Sequence, residues 1–134
     1  MSSEILKSLK IILLVQAAIF VLFGIFFTFF IEAYVLLFSW PHLDPTAGRF
    51  IGVIFISFAF VAVLVWREKE WARIELLVIL DILMCILGAI IMIFGVFLDN
   101  TGWAGWFNFA LMLAFFLLLL FSYISQIKKA TRPT

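Results

Sequence analysis

The sequence predicts an all-α membrane protein, a four-helix up-down transmembrane bundle with both termini cytoplasmic. Three observations predict it. Hydrophobic residues make up 67% of the chain and charged residues only 13%, about half the charged share of a soluble domain. With a mean hydropathy of +1.30, a fold of this size cannot hide its apolar surface from water, so its solvent is mostly lipid. The apolar residues fall into four runs near or above the roughly 20 residues of helix that cross a hydrocarbon core of about 30 Å. The basic residues between those runs are unevenly divided. Lys7, Lys10, Arg67, Lys69, Arg73, Lys128, Lys129 and Arg132 fall on one side and Arg49 alone on the other, which sets the side with both termini in the cytoplasm of a cell membrane.

The first helix is expected over about 8–38. Ile11 to Ile31 is apolar apart from Gln16 and Thr28 and ends in phenylalanines rather than at a small-residue cleavage site, so it reads as a retained helix and not a signal peptide. Ala17, Gly24 and Thr28 share one face and mark its packing side. Beyond Glu32 the run Ala33 to Trp40 overshoots the bilayer; it either continues a long tilted helix or lies at the interface. Trp40-Pro41 stops it, because the residue before a proline avoids the helical region. The connection His42 to Gly48, with Asp44-Pro45, is the longest in the chain.

The second helix, about 49–66, is short for a span and carries Gly52, Ser57, Ala59 and Ala62 as small packing positions. Trp66 and Trp71 frame the charged turn that follows, as residues at headgroup level do. The third helix, about 72–98, organises the rest. Steps of four and three from Ile74 run through Val78, Asp81, Cys85, Gly88, Met92, Gly95 and Asp99. One stripe therefore holds the buried acid, the single cysteine and both glycines. Small and polar residues in lipid mark the face turned to other helices, so this stripe is the expected seam. A tight turn over Asp99 to Gly102 leads to the fourth helix, about 103–127, whose Ala104, Asn108, Phe115, Ser122 and Gln126 share a face. Residues 1–134 thus form a single four-helix transmembrane domain, and Gly24, Gly52, Gly88 and Gly95 are its expected helix-packing glycines.

Composition excludes several function classes. A net charge of +1 gives no basic surface for nucleic acid. One cysteine, Cys85, and one histidine, His42, leave no disulfide, no cysteine zinc site and no multi-histidine metal site within the chain. No nucleophile motif, phosphate loop or dinucleotide fingerprint is present, which argues against an enzyme, and the sequence names no cofactor. The bilayer is the expected partner. Four helices leave a thin core, so a homo-oligomer or a larger membrane complex is a further expectation.

Two polar groups remain. In the cytoplasmic half, Asp81 lies about 12 Å inside the boundary and Gln16 and Ser122 about 9 Å, at 1.5 Å per residue; Ser57 is somewhat deeper. An ionised carboxylate there costs about 2.5–3.5 kcal/mol on insertion scales, and no Lys or Arg shares its layer, so the protonated acid is expected unless water enters. Asp81, with Gln16, Ser57, Ser122 and Cys85, is either a proton or cation site or a neutral acid that locks helix register. A hairpin turning near Thr101 is expected to set Asp81 beside Phe121 and Ser122. The outer group is Glu32, Arg49, His42 and Asn108, with Asp44, Asp99 and Asn100. Glu32 and Arg49 form either an ion pair at the corner of two helices or part of an outer vestibule. His42 reads as an exposed or turn-capping residue, and Cys85 as a small packing residue.

The positions Trp40, Pro41, Pro45, Arg49, Gly52 and Trp71 are similar to a W-P, P, R, G pattern in a family of small prokaryotic four-helix integral membrane proteins. The resemblance covers the middle third of the chain and implies four helices and no activity. Gly48 stands where that pattern usually has alanine. The chain does not resemble the small multidrug antiporters, whose essential acid sits in the first helix, or the thiol-oxidising quinone enzymes, which need cysteine pairs. The expected function is that of a non-catalytic accessory subunit or a binder of lipid or another hydrophobic ligand. A small channel or proton-coupled transporter using Asp81 is the alternative, and an intramembrane enzyme comes third.

Overall fold

The computed structural model describes residues 4–41 and 44–131; His42 and Arg132 lie outside the described residues. It is all-α, with five helices: α1 (Lys7–Phe29), α2 (Ile31–Phe38), α3 (Pro45–Arg67), α4 (Trp71–Leu98) and α5 (Gly102–Ala130). Four of them, α1, α3, α4 and α5, are each long and apolar enough to cross a membrane.

The expected first helix is two. Phe30 leaves the helical region at φ −128° and ψ 33°, yet its N–H still donates to Phe26 O at 2.9 Å and its carbonyl accepts from Tyr34 at 3.0 Å. Only these two bonds bridge the junction: Ile31, Glu32 and Ala33 make no backbone bond back into α1 among the described residues, so the ladder is interrupted there, and Ile31 and Tyr34 beyond the break are both buried. The helix stops at Phe38, where Ser39 takes the left-handed conformation at φ 49°. The next helix begins at Pro45 rather than near Arg49. Asp44 caps it, its side chain accepting from the N–H of Thr46 at 2.7 Å and of Ala47 at 3.3 Å, and Pro45 occupies the first helical position. An aspartate cap followed by proline is a strong helix start. The last helix runs on through Lys128 and Lys129 to Ala130, where two cations face the negative end of the helix dipole.

α1 packs along α3 and α4 along α5, and α1 also touches α5. The first contact is close because two glycines meet. A Cβ on Gly24 would lie 2.6 Å from the Ile56 side chain and 3.1 Å from the Gly52 carbonyl, and one on Gly52 would strike Thr28 and the Gly24 carbonyl. Gly88 and Gly95 face α5 at ordinary contact distance from Met112 and Thr101. The crowded glycine of that hairpin is Gly105, where a Cβ would strike Thr101 and Val96. Leu9 and Leu13 of α1, Val65 of α3, Ile74, Val78 and Cys85 of α4, and Phe115 and Leu119 of α5 form one buried cluster.

The two ends are built differently. At the end with the chain termini, Gln126 is fully buried; its Oε1 accepts from Leu6 N at 2.7 Å and its Nε2 donates to Glu4 O at 3.1 Å, pinning the residues before α1 onto α5. At the far end aromatic rings pack on one another. Tyr34 stacks on Phe38 at 4.5 Å, and Phe38 meets Trp103 at 5.0 Å.

Candidate functional site, a buried acid beside a lateral cleft

The site starts from the α4 stripe. Asp81 and Cys85 stand one turn apart on a helix, so they point the same way, toward Gln16 of α1. Gln16 Nε2 donates to Asp81 Oδ1 at 2.9 Å and to Cys85 Sγ at 3.5 Å. The Cys85 thiol donates to the same Oδ1 at 3.9 Å. All three side chains are buried; Gln16 is 2% exposed and Asp81 8%. The network ties α1 to α4, and so joins the α1–α3 pair to the α4–α5 pair at mid-depth. Two polar atoms stay free of it. Asp81 Oδ2 takes no hydrogen bond from the described residues, and the buried Gln16 Oε1 has no partner.

Beside this clasp, α3 and α4 do not close on each other. A cleft of about 210 Å³ lies between them, lined by Leu13 of α1, by Ser57, Ala62 and Val65 of α3, and by Leu77 and Asp81 of α4, among others. Ser57 and Leu77 are exposed at its edge, so it opens sideways. Among the described residues that line it, Ser57 and Asp81 are the ones with hydrogen-bonding side chains, and Ser57 donates its hydroxyl to Val53 O at 2.9 Å.

The structure joins some of the expected residues and separates others. Gln16, Asp81 and Cys85 form one network. Ser57 shares the cleft with Asp81 without bonding to it. Ser122 is buried but makes no hydrogen bond to Asp81, and Phe121 is 75% exposed. The cause is hairpin register. Gly88 faces Met112, and counting seven residues along each antiparallel helix from that pair brings Asp81 level with the buried Leu119, one turn short of Ser122. In the turn that joins the two helices, Asn100 and Gly102 both have positive φ, 53° and 61°, and Thr101 N–H folds back to Gly95 O at 3.3 Å.

At the far end Arg49 Nη2 donates to Glu32 Oε1 at 2.5 Å. Asn108 is not part of that pair; its Nδ2 donates to Tyr34 Oη at 3.3 Å and to Ala104 O at 3.0 Å. Asp99 is exposed. No group of acids, histidine or cysteine suited to a metal ion occurs among the described residues.

Sequence reasoning missed the end of the cleft nearest the termini. Lys10, one turn before Leu13, donates its ammonium to Trp66 O at 2.9 Å and to Glu68 O. Those carbonyls belong to the C-terminal end of α3, which has no helical donors left for them. Glu68, just past α3, is held below the ordinary carboxylate range, first by the backbone N–H of Lys69 that donates to it, with the N–H of Glu70 and the nearby Arg73 adding to the effect. The signal for Lys10 was its place one helical turn from an apolar run, which reads as a span boundary rather than as a cap on another helix. No family model, no curated protein and no solved structure matches the chain, so the site is read from its own geometry.

Proposed function

We propose that the chain is a multi-pass protein of the cell membrane whose four long helices form an up-down bundle with both termini cytoplasmic, and that it holds a lipid or another hydrophobic molecule in the α3–α4 cleft without transforming it. The observation that carries this reading is the cleft itself: about 210 Å³, open sideways, apolar along its length, with the Asp81 carboxyl in its wall. Among segments long enough to span, such an opening faces acyl chains rather than water. The Gln16–Asp81 clasp sets its deep wall by fixing α4 against α1. The gathering of Lys7, Lys10, Lys69, Arg73 and Lys128 around the segments that flank the spans supports the cytoplasmic placement of the termini.

Purification in mild detergent, followed by mass spectrometry of what stays bound, tests the reading. A retained hydrophobic molecule is expected in the wild type and is lost in Ala62→Phe, whose ring fills the cleft. A wild type that retains nothing, or an Ala62→Phe protein that retains as much, ends it.

One observation favours a second reading, a proton-coupled transporter. Asp81 lines the cleft and its Oδ2 takes no hydrogen bond among the described residues, so a proton can reach it without breaking the clasp. That reading expects proteoliposomes of the wild type to carry a flux that Asp81→Asn abolishes; equal flux in both removes it.

A further inference from the structure

We infer that the molecule held in the cleft is an anionic phospholipid, with one acyl chain between α3 and α4 and its headgroup charge at Lys10 and Lys69. The assignment rests on the cleft reading above and adds the charge of the ligand to it. Three features of the cleft's terminal-side mouth support it.

The first is Lys10. A lysine ammonium has three donors. Two are used by the Trp66 and Glu68 carbonyls, which fix the ammonium in place without neutralising it. One donor and the full charge remain, one helical turn from Leu13 in the cleft wall. The second is Lys69. It sits in the connection between α3 and α4, which by its position crosses the mouth of a cleft between those helices. Its side chain is in no ion pair among the described residues. The third is the balance of charge. Glu68 and Glu70, the acids flanking Lys69, are both engaged by Arg73, at 3.6 and 2.9 Å. Glu75 accepts from Tyr123 on the α5 side. Glu4, Glu68, Glu70 and Glu75 together stand against Lys7, Lys10, Arg67, Lys69, Arg73, Lys128 and Lys129 at this end, four acids to seven cations, and Lys7, Lys10, Arg67 and Lys69 are in no ion pair among the described residues. An anion is attracted to this mouth and a cationic amphiphile is repelled from it.

The dimensions fit a chain that enters from the headgroup level. From Val65 to Ser57 the wall is about 12 Å long at 1.5 Å per residue, and the polar pair Ser57 and Asp81 bounds it at depth. Trp66, 41% exposed beside the mouth, suits a headgroup boundary.

The test uses the full chain in detergent micelles, titrated with phosphatidylglycerol and phosphatidylcholine of identical acyl chains and read by native mass spectrometry. The wild type is expected to retain phosphatidylglycerol in preference. Each lysine is worth about fivefold, the usual effect of one cation beside an anionic leaflet. Lys69→Gln should lower the preference by that factor, and the Lys69 side chain is exposed and in no ion pair among the described residues. Lys10→Gln should lower it further, and Lys10→Arg should restore it. Ala62→Phe should weaken both lipids together. A preference unchanged in Lys69→Gln and Lys10→Gln overturns the assignment. Equal binding of the two lipids to the wild type, with both lost in Ala62→Phe, overturns the anionic headgroup and leaves the cleft reading standing. Binding of either lipid that ignores Ala62→Phe overturns both.

Discussion

Gln16 and Asp81 meet at 2.9 Å in the middle of the molecule, 2% and 8% exposed, whereas Arg49 and Glu32 meet at 2.5 Å at its far end, with side chains 48% and 62% exposed. The second contact is shorter and joins two formal charges. Length and charge both rank it first, and burial reverses the order. An exposed ion pair exchanges one set of solvated partners for another and is worth about 0–1 kcal/mol. A buried amide has no water to return to, so removing its partner costs the desolvation of the group left behind, about 1–3 kcal/mol. The interior contact therefore holds the two helix pairs together, and the far-end contact closes a corner.

The largest expected effect breaks the interior contact from one side. Asp81→Leu leaves the Gln16 amide buried beside an apolar side chain, and thermal unfolding in detergent should show a loss of about 1–3 kcal/mol. Asp81→Asn keeps the size and an acceptor for Gln16 Nε2, so its cost should stay near the 0.6 kcal/mol or so typical of hydrogen bonds between membrane helices. Equal losses in the two variants would show that the acid acts through its charge and not as a clasp.

A sharper form measures coupling. The double-mutant cycle of Gln16→Leu with Asp81→Leu should give an interaction energy of about 1–2 kcal/mol, toward the upper end for polar contacts inside membrane proteins. A value near zero would mean that α1 and α4 are held by the surrounding Leu13, Val78 and Leu119 cluster alone.

Which side of this comparison a residue falls on was only partly legible in the sequence. The α4 stripe was legible because residue type and helical period agree there: Ile74, Val78, Asp81 and Cys85 are buried together. Depth counting put Gln16, Asp81 and Ser122 in one layer, and the structure joins the first two. Ser122 is displaced because the hairpin register brings Leu119, one turn short of it, level with Asp81, and a count of rise per residue does not read the register between two helices. The start of α3 was written in Asp44-Pro45, a cap and a first-turn proline, although both fall in the connection expected between the first two helices. The bend at Phe30 carries no signal, since neither proline nor glycine stands there. The cleft was the least legible feature. Ala59 is buried and Ala62 lines the opening, and nothing in the two alanines tells a filled contact from an open one.

The smallest expected effect belongs to the far end and is the most exacting for the comparison. Glu32→Gln and Arg49→Gln, singly, should each cost less than about 1 kcal/mol, and their cycle should couple by about 0.2–1 kcal/mol at low salt. Raising the salt to about 1 M shortens the screening length to roughly 3 Å, so that coupling should fall toward zero. The Gln16–Asp81 coupling, shielded from ions by the helices around it, should not change. The ratio of the two couplings at high salt therefore reads burial directly. A far-end coupling that matched the interior one, or that ignored salt, would place Arg49 and Glu32 in a dry vestibule and make the far end a second candidate for a bound polar group.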